Sequence, residues 1–240
     1  MRLSPYTFQD GLRDGLPIAL GYLSVSFGFG VSAVGLGLGW LQATLISLTN
    51  VTSAGQVAGV AVIAALGSLG EMALTQLVIN IRYLLMSISL SQRLDKSCTL
   101  PHRLAISFAV TDEIFAVSSA KPDMVGKSYM YGLISLPILG WVLGTLLGGV
   151  AGEILPASVN AALGIAIYGM FVAIVVPTAR ADKGVLFCAG LAMLLSCLIR
   201  YLPALSGISA GFSVIICAVI AAAAAAYIRP IPKEEEVQGE

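Results

Sequence analysis

The chain has 240 residues, of which 58% are hydrophobic and only 11% charged, and its mean hydropathy is +0.92. Soluble domains carry about 25% charged residues, so this composition excludes a water-coated globule and makes lipid the solvent for most of the chain. The formal net charge is zero, which excludes the basic footprint of a nucleic-acid-binding protein.

A bilayer core about 30 Å thick takes about 20 apolar residues per helical span. Eight apolar segments meet that length approximately: 16–37, 41–66, 70–90, 104–120, 129–151, 158–178, 184–201 and 207–228. The expected fold class is therefore all-α, a single polytopic transmembrane domain over 1–240 with seven or eight spanning segments. The polar first fourteen residues, with Arg2, Asp10, Arg13 and Asp14, argue against a cleaved signal peptide. Glycines crowd the first run ("FGFGVSAVGLGLG") and the fifth ("LGWVLGTLLGGVAG"), where they let helix backbones approach closely.

The second segment carries "SLTNVTSAGQVAG" at 47–59. Lipid cannot satisfy these polar groups, so they must face protein or water. On a continuous helix Asn50, Ser53 and Gln56 would lie close to one face, which makes them candidate substrate-binding residues. The third segment carries "LVINIRYLLM" at 77–86, with Asn80 and Arg82 inside an apolar run. A permanent charge within a membrane segment is a functional candidate, and the planar guanidinium suits a carboxylate. The fourth segment carries "FAVTDEIFAV" at 108–117, with Asp112 and Glu113 as a candidate proton or amine site. Ser107, Thr111 and Ser118 would form a polar stripe beside them at helical spacing.

"LPI" at 16–18 returns at 136–138, and "IRYL" at 81–84 returns at 199–202. These pairs predict two three-helix repeats, about 16–90 and 136–203, joined by a linking segment at 91–128 and followed by a last helix at about 207–228. Each Arg would mark the end of a third helix, with Arg82 about two turns inside it and Arg200 snorkelling at the interface. Basic residues cluster at 93–103, 121–127, 180–183 and 229–233, and the loops at 38–40, 67–69 and 203–206 have none. Positive charge marks cytoplasmic loops. The basic loop follows the third segment in one half and precedes it in the other, which favours inverted repeats. In that arrangement 104–120 is re-entrant or interfacial and the N-terminus lies outside the cytoplasm; parallel repeats with eight spans are the rival. The tail "RPIPKEEEVQGE" is expected to be a short disordered end.

Enzyme chemistry finds no constellation. The one histidine, His102, sits in a basic loop, and Cys98, Cys188, Cys197 and Cys217 have no metal-type spacing. No cofactor and no metal are expected, and the phosphate-loop pattern needed to use ATP is absent.

Four stretches, "DGLPIALGYLSVSFGFG" (14–30), "SLTNVTSAGQVAG" (47–59), "VINIRYLLMSISL" (78–90) and "AVTDEIFAV" (109–117), resemble the AzlC family of bacterial membrane proteins. The matching positions in order are Pro17 with Gly21, Phe27 with Gly28, Gln56, Asn80 with Arg82, and Asp112 with Glu113. "TSAGQ" departs from the pattern, since the family more often places an aromatic and a small residue around this Gln. The resemblance implies a secondary transporter that exports branched-chain amino acids across the bacterial inner membrane with a small AzlD-type membrane subunit. The alternative class is a non-transporting membrane scaffold or assembly subunit.

Overall fold

The computed structural model describes residues 4–156, 158, 159, 169, 172, 175–205 and 207–228. The predicted segment 158–178 lies mostly outside the described residues, as does the tail from 229 onward. All named elements are helical: α1 Phe8–Gly35, α2 Trp40–Thr49, α3 Ser53–Ala64, α4 Leu69–Arg93, α5 Leu100–Phe108, α6 Asp112–Ser119, α7 Lys127–Ile154, α8 Lys183–Tyr201 and α9 Ala210–Ile228. Among the described residues five of these, α1, α4, α7, α8 and α9, are long and apolar enough to cross a membrane.

α1 begins at a capping box in which the Thr7 hydroxyl accepts from Asp10 N and the Asp10 carboxylate accepts from Thr7 N. This satisfies two of the amide donors that a helix start leaves open. α1 and α7 lie side by side through their glycines. A methyl group on Gly140 would stand 2.6 Å from the Ala19 carbonyl oxygen, and one on Gly11 would stand 2.7 Å from Leu133 N. The contacts climb in step along both chains, from Gly11 with Gly132 to Gly30 with Gly149, so the two helices run parallel. These are the helices that carry the two Leu-Pro-Ile stretches, and inverted repeats beginning at those stretches would make them antiparallel.

The predicted second and fourth spans are each broken in the middle. α2 starts beside the end of α7, where Trp40 N donates to Glu153 at 3.3 Å. It descends to Asn50, and α3 then returns to the same end, where Val60 packs with Phe29, Ala33 and Leu38. Asn50 and Thr52 are extended at the tip, with φ −148 and −130. Asn, Val and Thr are poor helix formers, and the tip is built from all three. α5 and α6 form a second hairpin entering from the opposite end. Arg103 donates to the Cys98 and Ser91 carbonyls at the mouth, and Arg93 donates to the Lys121 carbonyl where the chain leaves. The predicted segment 104–120 is thus two short helices folded back on each other, not one continuous helix. In chain order α1 is followed by a hairpin from one end, and α4 by a hairpin from the other.

Arg82 stands near the middle of the 25-residue α4, not two turns from its end. Arg200 is in the last turn of α8, so the two arginines occupy different depths. The N-terminus also departs from expectation. Ser4 N donates to Asp95 Oδ2 at 2.8 Å, and Lys121 pairs with Asp14 at 2.8 Å, so the chain starts at the end that holds the basic loops. At the other end Glu71, only 6% exposed, accepts from Gly211 N at 2.9 Å and from the Ser209 hydroxyl. It thereby caps α9 from across the bundle.

Asp95 is the clasp of the basic end. It is buried, which pushes its carboxyl upward. Hydrogen bonds from the Ser97 hydroxyl and from the Ser4 and Ser97 amides outweigh that and hold it below the ordinary carboxylate value. Its stabilising contribution is therefore complete above the ordinary carboxylate range and is lost as pH falls through the depressed value. Asp95→Asn should cost roughly 1–3 kcal/mol, the range for charge-assisted hydrogen bonds and unpaired buried donors. A lower thermal midpoint of the detergent-purified protein at neutral pH is the check, and the gap to wild type should narrow in acid.

Candidate functional site

The two hairpin tips meet at the middle of the bundle, at the level of Tyr22 on α1 and Trp141 on α7. Between them and α4 lies a cavity of about 640 Å³. Its apolar wall includes Ile18, Val25, Val51, Val78, Ile79 and Trp141. Its charged groups are Arg82, Asp112 and Glu113, with Ser53, Tyr22, Tyr83 and Thr111 as further polar lining.

Arg82 reaches across from α4 to the second tip, with Nη1 2.9 Å from Asp112 Oδ2. Its Nη2 donates to the Tyr83 hydroxyl at 3.1 Å, and its guanidinium carbon lies 4.9 Å from that ring's centre. Both members of the ion pair are about half exposed, 45% and 47%, to the cavity. The pair spans two elements and remains open to a third participant. Glu113 takes a different partner: its Oε2 accepts from the Tyr22 hydroxyl at 2.6 Å. That hydroxyl also lies 2.5 Å from Thr111 Oγ1, and Thr111 caps α6 by accepting from Ile114 N.

The start of α3 forms the facing wall. Val51, Ser53 and Ala54 line the cavity, Thr52 makes no side-chain cap, and the first turn has no acidic residue. The first amides of a helix have no intrahelical partner and carry partial positive charge. At the start of α6 that charge faces Asp112 and Glu113; at the start of α3 no carboxylate occupies it.

The break in the second predicted span redistributes the residues expected on one face. Ser53 lines the cavity. Gln56 is 1% exposed and turned away, accepting from Trp141 Nε1 at 2.8 Å and donating to Ser47 Oγ at 2.8 Å. Ser47 in turn bonds Thr145 at 2.7 Å. This chain of buried polar groups staples the first hairpin to α7. Asn80 is likewise outside the cavity lining. It donates to Gln76 Oε1 at 2.9 Å, and Gln76 donates to the Gly55 carbonyl at 2.8 Å, so the pair ties α4 to α3. Asn50 bonds Thr52 at the tip and borders a separate hollow of about 140 Å³ behind it, with Gln56 and Gln76. The stripe of Ser107, Thr111 and Ser118 is also broken: Ser107 bonds back to Leu104, the buried Ser118 hydroxyl donates to the Ile114 carbonyl within α6, and Thr111 sits at the tip.

Sequence reasoning passed over Tyr22, Tyr83 and Trp141. Aromatic residues in an apolar run carry no signal of their own there. The Thr-Asp-Glu order at 111–113 did carry one, since a Thr followed by acids is a helix start.

A protein-family model described as AzlC protein matches residues 17–155. The chain is similar to the inner membrane protein YgaZ of Escherichia coli K12, 29% identical over 193 residues that cover 77% of this chain and 78% of that one. It is also similar to an uncharacterized membrane protein of Archaeoglobus fulgidus, 31% identical over 175 residues that cover 72% and 76%. No solved structure matches it.

Proposed function

This chain belongs to the AzlC family of membrane proteins, and from that premise we propose that it is a secondary transporter for branched-chain or related small hydrophobic amino acids. It exports them across the bacterial inner membrane together with a small AzlD-type membrane subunit. The observation that carries this reading is the central cavity, with opposite charges at one side and aliphatic walls around them. Broken helices whose ends meet near the bilayer midplane are a recurring way to hold a substrate in secondary transporters. A substrate carboxylate fits between Arg82 and the start of α3, its ammonium faces the acidic tip of α6, and its side chain rests on Val25, Val78 and Ile79. A scaffold would gain nothing from a half-exposed ion pair in a hollow.

Among the described residues Arg13, Arg93, Lys96, Arg103, Lys121 and Lys127 gather at the end where the chain starts, which the positive-inside rule assigns to the cytoplasm. The partner reading rests on the family resemblance and on α8, of which only 6% of the apolar window is buried within this chain. The test is counterflow of labelled leucine into proteoliposomes preloaded with unlabelled leucine, with and without the small subunit. Accumulation above the equilibrium level supports transport, and none in either preparation supports the scaffold.

A further inference from the structure

We propose that Gly21 sets the largest side chain the central cavity accepts, and that the notch it leaves extends the substrate class from branched-chain to aromatic amino acids such as phenylalanine. The inference rests on the transporter reading above and deepens it at the side-chain end of the site.

Helix packing does not account for a glycine at this position. Gly15 and Gly30 of α1 lie against α7, where a methyl group would stand 2.5 Å from the Leu133 carbonyl oxygen and 2.6 Å from Gly149 N. A methyl group on Gly21 would meet nothing within 4 Å. Gly35 is as open, but it is the last residue of α1. Gly21 is inside the helix, where glycine is less stable than alanine. Its backbone does not call for glycine either, since the one described glycine with positive φ is Gly37.

The cavity supplies a reason. Pro17, Ile18, Gly21, Tyr22 and Val25 form its α1 wall, a single stripe at helical spacing. Four of them present side chains, and Gly21 leaves a notch one turn from Val25, where the substrate's side chain rests. The space is larger than leucine needs. Leucine has nine non-hydrogen atoms, and even at a water's share of roughly 30 Å³ for each it fills under half of the 640 Å³. The rim of this space also suits a ring. Tyr22 and Trp141 meet edge to face with centres 5.2 Å apart, and Tyr83 lines the same cavity. Aromatic rings gain from such tilted neighbours beyond the area they bury.

The experiment measures counterflow in proteoliposomes containing the full chain and its subunit, with valine, leucine and phenylalanine as probes. In wild type, phenylalanine should compete with leucine and should itself be exchanged. Gly21→Val should raise the KM for phenylalanine most, for leucine roughly tenfold as expected of overpacking, and for valine least, with maximal rates little changed. Gly21→Ala should weaken phenylalanine while leaving leucine close to wild type. Gly190→Val makes the same change at an equally open glycine of α8 away from the cavity lining, and should alter none of the three. Both position-21 variants should keep the wild-type thermal midpoint in detergent, because the added atoms enter open space. A phenylalanine that neither competes nor exchanges in wild type overturns the proposal. So does an equal change for all three probes, the result expected if Pro17 and Gly21 only form a bend in α1. Loss of folding in both position-21 variants overturns it as well, since the notch would then be packed. Absence of leucine counterflow in wild type defeats the transporter reading itself; leucine counterflow with unshifted selectivity in Gly21→Val defeats this inference alone.

Discussion

Arg82→Lys should lower leucine counterflow roughly tenfold or more at matched membrane expression, the loss expected when one or two charge-assisted hydrogen bonds of about 1.5 kcal/mol or more each are removed. The substitution keeps the charge, so the effect isolates geometry. The guanidinium meets Asp112 with one nitrogen and Tyr83 with the other while resting near the Tyr83 ring. A lysine ammonium is a compact point charge on a flexible stem and cannot span both partners as a planar fork does. Arg200→Lys should leave counterflow unchanged, because Arg200 lies in the exposed last turn of α8, away from the cavity lining. Initial rates for both variants at several leucine concentrations are the measurement. Normal transport in Arg82→Lys, or damage from Arg200→Lys, would reject the assignment of the central charge to substrate.

Gln56→Leu should act on stability and leave recognition alone. Gln56 occupies the middle of the polar staple from Ser47 to Trp141, and Trp141 itself is 2% exposed. Leucine fills a similar space but leaves the indole N–H without an acceptor and removes the donor to Ser47. Each buried polar group left unpaired costs roughly 1–3 kcal/mol, and the cost falls on the contact that holds the first hairpin against α7. A markedly lower thermal midpoint in detergent is expected, with leucine KM close to wild type at temperatures where the variant stays folded. A raised KM at unchanged stability would instead mean that Gln56 touches the substrate, as its polar neighbourhood in the sequence suggests.

Composition alone determined the solvent and the fold class. With 11% charged residues no arrangement of this chain can coat itself for water, and in lipid every backbone group must be satisfied within the chain, which leaves helices for apolar runs of this length. Arg82, Asp112 and Glu113 were legible as functional candidates for the same reason: ionised groups in apolar segments must face one another, water or a ligand. Hydropathy could not show that 41–66 and 104–120 are hairpins, because an apolar run of span length reads the same whether it crosses the membrane or turns back halfway. That turn decides everything downstream. It puts Ser53 on the cavity and Gln56 behind it, makes the start of α3 a bare positive end, and brings Thr111 to Tyr22. The place of Arg82 along α4, the parallel course of α1 and α7, and the end of the bundle that Ser4 shares with Asp95 were likewise visible only in three dimensions. The direction of a helix depends on how many earlier segments cross fully, and that number is a property of packing against the rest of the bundle.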